Sequence, residues 1–111
     1  MKEKFLGEFE QMVLLAILKL KENAYGVAIR DLLIASIGRE VSVGALYTTL
    51  ERLEKKGLLT SAYGESSAER GGRAKKFYLL SGQGKQALSR SKQALDTLWQ
   101  GIQLKQWSVY G

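Results

Sequence analysis

The chain has 111 residues, of which 45 % are hydrophobic and 25 % charged, the make-up of one globular domain with a real but modest core. It contains neither Cys nor His. Disulfides, thiol nucleophiles, imidazole bases and the usual zinc sites are therefore excluded, and neither a metal nor a cofactor is expected. A net charge of +6 and a pI near 9.7 favour a polyanionic partner.

Catalysis would have to rest on carboxylates, Lys, Tyr or Ser, and no acid pair stands in an obviously buried setting, so the chain does not read as an enzyme. The longest apolar run, Met12 to Leu18, is too short to cross a bilayer. The start MKEKFLGEFEQ mixes acids with lysines, unlike a cleavable signal peptide, and a cytoplasmic location is expected.

Phe9, Met12, Val13, Leu15, Ala16, Ile17 and Leu20 predict a first helix that is apolar around much of its circumference and sits at the centre of the core. Asn23 is a plausible cap for a second helix over about Ala24 to Ser36, with Tyr25, Ile29, Leu32 and Leu33 inward and Gly38 at its end. Ser42 stands where the cap of a third helix belongs. Val43, Leu46, Leu50 and Leu53 recur at helical spacing, and Gly57 supplies the stop. Leu58 to Tyr63 and Lys76 to Leu80 read as strands. The polar ESSAERGGRAK between them has the composition of a hairpin tip. Ser81 is a further cap, and the last helix is expected to reach about Leu104. Its Leu88, Leu95 and Ile102 repeat every seven residues with Leu98 between, a short seam interrupted at Ser91 and Lys105.

Three helices followed by a two-stranded hairpin give a fold that is mainly α with a small β component: a winged helix-turn-helix over residues 1–81, then a C-terminal dimerisation helix and tail over 82–111. With Leu46, Leu50 and Leu53 turned inward, the third helix presents Gly44, Ala45, Thr48 and Arg52. Ser42 and Val43 stand at its positive, N–H-rich end, and Thr49 is a further hydroxyl able to reach phosphate or a thymine methyl. The plainer reading is a solvated helix face with Ser42 acting only as a cap. Tyr47 is either a core aromatic with its hydroxyl at the rim or a phosphate-contacting phenol, and both can hold at once.

The loop ERGGRAKK places Arg70, Arg73, Lys75 and Lys76 within seven residues without an acid among them. Gly71 and Gly72 let such a tip lie flat against a groove while the cations neutralise phosphates. By itself such a basic run is more commonly a solubilising surface loop. Following a candidate recognition helix, it reads as a wing, and the expected partner is double-stranded DNA. Two rivals are a winged helix whose basic wing binds an acidic protein, and an RNA binder, the latter disfavoured because the wing lacks aromatics for base stacking.

AYGVAIRDLL, GALYTTLERLEKKGLL and GGRAKKFYLLSGQGKQAL resemble the PadR-like transcriptional regulators of the short class with a single C-terminal helix. Ser81 stands where Thr is usual, and Thr48 where Pro is frequent. The resemblance implies a homodimeric repressor that pairs through its last and first helices, binds a palindromic operator and releases it on binding a small aromatic or drug-like molecule. It puts Tyr47, Thr48 and Thr49 on the recognition helix, and Arg70, Gly72, Arg73 and Lys75 on the wing. The pairing surface is expected to draw on Phe5, Phe9, Leu88, Leu95, Leu98, Trp99 and Ile102. Trp99 is either aromatic mass in that dimer core or, with Leu95 as a competing position, the wall of an apolar slot for a flat ligand. Trp107 is ordered by the partner chain or free.

Overall fold

The computed structural model describes residues 5–64 and 74–106. Arg70, Gly72 and Arg73 of the expected wing, and Trp107, lie outside the described residues. The elements follow the expected order: α1 (Glu8–Leu20), α2 (Gly26–Ile37), α3 (Val43–Lys55), β1 (Leu59–Tyr63), β2 (Lys76–Leu80) and α4 (Gly82–Trp99). The strands pair antiparallel, from Leu59 opposite Leu80 to Tyr63 opposite Lys76. A single bridge from Tyr25 to Phe77 and the Tyr78 N–H donating to the Ala24 carbonyl at 2.8 Å stitch the start of α2 to the outer edge of this hairpin.

Leu14, Ile17, Ile29, Leu46, Leu50, Leu53 and Leu59 are fully buried together, each contributing about 1.5–3 kcal/mol relative to an exposed side chain. α1 is the central strut, with Val13, Leu14, Ala16 and Ile17 in the core. The apolar excess noticed in its sequence divides in two, because Leu15 and Leu18 are exposed. Leu15 thus faces away from the core it was expected to join.

Local chemistry explains the element ends. Ser42 caps α3 by accepting from the Ala45 N–H at 3.1 Å. Ser81 caps α4 by accepting from Gly84 N–H at 3.0 Å, and its hydroxyl donates to the Gly57 carbonyl at 2.6 Å, so one side chain joins the helix start to the turn after α3. Gly84 itself lies against the Leu58 carbonyl so closely that a Cβ would collide with it. α2 begins two residues later than expected. Asn23 belongs to a 3₁₀ turn, Lys21–Asn23, and the extended residue before α2 is Tyr25.

The last helix stops at Trp99, short of the expected Leu104. Past its end, Gly101 has φ of 79°, a left-handed turn that carries Ile102 off the helical stripe. The seven-residue repeat therefore does not run as one seam. Its first member, Leu88, is 9 % exposed and packs in the chain's own core, which removes it from the expected pairing surface. Ser91, read as a flaw in that seam, is buried, and its Oγ accepts from the Leu6 N–H at 3.3 Å.

Candidate nucleic-acid interface

α3 is anchored by one stripe and open on the other. Leu46, Leu50 and Leu53 are buried, joined by Thr49 at 4 % exposure. Thr49 is thus withdrawn from the face it was expected to present, one helical step round from Thr48. Val43, counted among the inward anchors by spacing, is 55 % exposed, since it begins the first turn beyond the reach of the core. Ser42, Gly44, Ala45 and Thr48 are exposed with it. The start of α3 is therefore a ledge of small and hydroxylated side chains at the positive end of the helix, where Ser42 already takes the Ala45 N–H, a form that admits close approach of an anion.

Tyr47 borders this ledge. Its ring and hydroxyl lie over Gly26, where a Cβ would run into the Tyr47 Oη, so the glycine of the Ala-Tyr-Gly triplet is required for α2 and α3 to approach. The ring remains 44 % exposed, which makes Tyr47 a rim aromatic.

The stem of the hairpin stands across a cleft of about 530 Å³ from α3, lined by Tyr25, Tyr47, Tyr63, Tyr78, Lys75 and Lys76 among others. Lys75 Nζ sits 4.0 Å above the Tyr25 ring, within range of the attraction between a cation and a π face. Lys76 turns toward α3. Its Nζ is 3.6 Å from the Glu54 carboxylate and 5.8 and 5.7 Å from the Tyr63 and Tyr78 rings. Glu54 also accepts from Ser61 Oγ at 2.6 Å, so one carboxylate ties α3 to both strands. Tyr78 is buried beneath this cluster. Burial, reinforced by the charge of Glu54, pushes its hydroxyl up to about 12.

Arg52 is exposed, as expected, one turn from Thr48, and its guanidinium also leans toward α1, with Nε 3.5 Å from the Glu10 carboxylate. Lys56, one turn on, donates to the same oxygen at 3.1 Å, while the other Glu10 oxygen accepts from the Gly7 N–H at 2.8 Å. Glu10 is 8 % exposed. Burial alone would raise its pKa, but the Gly7 N–H and the two cations outweigh that and hold the carboxyl below the usual carboxylate range. Neither Glu10 nor Glu54 was singled out in the sequence. The signal for Glu10 was there, a Glu at the third helical position after Gly7, in the manner of a capping box.

A second surface is apolar. Leu15 and Leu18 of α1 face Leu95 and Trp99 of α4 across a groove of about 550 Å³. Leu95, Leu98 and Trp99, with Ile102 and Leu104 beyond the helix end, line an adjoining slot of about 360 Å³. Leu98 is 70 % exposed. Phe5 is exposed as well, whereas Phe9 is half-buried against the core with the Arg39 guanidinium 5.1 Å from its ring centre. Its aromatic face is thus engaged within its own chain. Among the described residues no helix is long and apolar enough to cross a membrane.

The sequence profile of the transcriptional regulator PadR-like family matches residues 14–90. No curated protein sequence matches the chain. Among solved structures, a PadR-like transcription factor from Bacteroides fragilis is similar with 31 % identity and a TM-score of 0.68, over 81 % of this chain and 82 % of that one. A PadR family transcription regulator from Clostridium difficile R20291 shares 26 % identity over 89 % of this chain and 97 % of its own, with a TM-score of 0.68. A PadR-like transcriptional regulator from Bacillus cereus shares 27 % identity over 85 % and 93 %, with a TM-score of 0.65. With the matched region running from the middle of α1 to the middle of α4, this winged-helix chain belongs to the PadR-like family of transcriptional regulators, which are DNA-binding proteins and not enzymes.

Proposed function

We propose that the protein is a homodimeric repressor that binds a palindromic operator through the start of α3 and the wing and leaves it when a small, flat, apolar molecule binds. The observation that carries this reading is the exposed ledge of Ser42, Gly44, Ala45 and Thr48, standing beside a wing stem that holds Lys75 over Tyr25. Small side chains let bases and phosphates come close, Thr48 and Tyr47 supply hydroxyls, and Lys75 supplies charge. Arg70, Gly72 and Arg73, outside the described residues, are assigned to the wing by their place in the sequence between the two strands.

The exposed Leu15, Leu18, Leu95, Leu98 and Trp99 support pairing of two copies through α1 and α4. A two-fold dimer would offer two recognition helices to successive major grooves about 34 Å apart. The apolar slot beside Trp99 suits the effector.

Affinity for a site selected from random DNA, and for random duplex, measured over a salt series, tests this. The selected site should bind about a thousandfold or more tighter. The log–log salt slope should be steep, near −0.9 for each phosphate neutralised, and Lys75→Ala should make it shallower by about that one step. Equal affinity for every duplex would sink the sequence-specific reading. Binding to an acidic protein with no DNA binding would favour the wing as a protein-docking module.

A further inference from the structure

We infer that Glu10 is a positioning residue for DNA recognition: from α1 it grips Arg52 of α3 and Lys56 at the C-cap of that helix, and so sets how the recognition helix is rolled. This rests on the DNA-binding reading above and goes beyond it, because Glu10 lies outside the surface assigned to the duplex.

The geometry begins with the carboxylate. It is nearly buried at the first turn of α1, and one oxygen is fixed by the Gly7 N–H at 2.8 Å. The other oxygen faces α3 and receives Lys56 Nζ at 3.1 Å and Arg52 Nε at 3.5 Å. Arg52 and Lys56 are four residues apart, hence neighbours on one flank of α3. The opposite flank is tied by Glu54 to Ser61 and Lys76. With its buried stripe at the back, α3 is therefore held from both sides, and rotation about its axis requires one of two carboxylates to release its partners. Such rotation is what would move Gly44, Ala45 and Thr48 relative to a groove. The turn carrying Glu10 is itself anchored to the last helix through the Leu6 N–H donating to Ser91 Oγ, and Gln11 Nε2 of α1 donates to the Leu6 carbonyl at 3.1 Å.

Charge makes the inference separable from a general electrostatic effect. Removing an acid from a DNA-binding protein should strengthen binding to any duplex, because phosphates are repelled less. A positioning role predicts a loss confined to the chosen site. The experiment compares wild-type protein with Glu10→Gln, which keeps the side-chain size and an acceptor for Gly7. Both are measured on the selected site and on random duplex, with thermal unfolding alongside. Random-duplex affinity should hold or rise, while the ratio of selected to random affinity contracts about tenfold. Glu10→Asp, which restores the charge, should recover part of that ratio.

Arg52→Gln, in a half-exposed side chain, repeats the test from the other end of the contact should Glu10→Gln fold poorly, and it should contract the ratio likewise. A ratio unchanged from wild type in the folded variants would overturn the positioning role. So would parallel losses at both duplexes with a shallower salt slope in Arg52→Gln, since Arg52 would then be touching phosphate. A wild-type ratio near one is the different failure, that of sequence-specific binding itself, and this inference falls with it.

Discussion

Tyr78 shows how a single buried phenol makes stability depend on pH in a region seldom tested. Its hydroxyl is pushed up to about 12, first by burial and then by the charge of Glu54 and neighbouring groups. A phenol in the unfolded chain loses its proton near pH 10, so above that pH the native state holds a proton that the unfolded state has shed. The stabilisation is complete below about pH 10 and is lost as pH rises toward about 12. Urea midpoints should fall across that window in the wild type, and Tyr78→Phe should flatten the fall. A different kind of strain sits at Lys21, the only described non-glycine residue with positive φ, at 54° and with ψ of −123°. Such a conformation costs a side-chain-bearing residue roughly 1–3 kcal/mol, and glycine gives back about 0.5–1 kcal/mol of that through its looser unfolded state. Lys21→Gly should therefore stabilise by about 1 kcal/mol, read as a rise of about 4–8 °C in Tm. An unchanged or lower Tm would mean that the exposed Lys21 side chain contributes as much as its backbone costs.

Among the elements, α4 has two halves with different fates. Its first half carries Gly84, Ala87, Leu88 and Ser91 into the core, while its second half leaves Leu95, Leu98 and Trp99 in solvent. At 1.5 Å per residue its 18 residues span about 27 Å, enough to run past the body it starts on. If that second half is where two copies meet, Leu95→Asp should place a charge in the seam and favour monomers. Sedimentation that still reports a dimer would put the pairing surface elsewhere. The limits of α3 were legible because the Ser42 cap and the Leu46–Leu50–Leu53 stripe agree, and the strands because KFYLL is rich in aromatics. The limit of α4 was not, since a heptad count passes over Gly101, whose left-handed backbone breaks the register without changing the spacing. The entry to α2 was hidden for a related reason: the backbone of Ala24 and Tyr25 is taken up by pairing with β2, a contact made more than fifty residues along the chain.

At the scale of the whole molecule, the fold is α3 clasped between a strut and a hairpin. The order of helices and strands was readable from hydrophobic period and turn chemistry. The orientation of side chains on α3 was readable only in part. A helical wheel separates inside from outside, and it put Thr48 correctly in solvent. It cannot say that Arg52 will meet Glu10, because that depends on which neighbour stands beside the flank, and Glu10 lies 42 residues earlier. The same long-range closure acts between the two ends of the described chain, where the Leu6 N–H is held by Ser91, 85 positions later. During synthesis on the ribosome at about 5–20 residues per second, roughly 4–17 s separate the emergence of these partners. Through that interval the nascent first helix lacks the anchor for its leading turn, and two of its leucines have no α4 beside them. A slow stretch of translation between the hairpin and Ser91 would therefore lengthen the time for which that leading turn lacks its anchor.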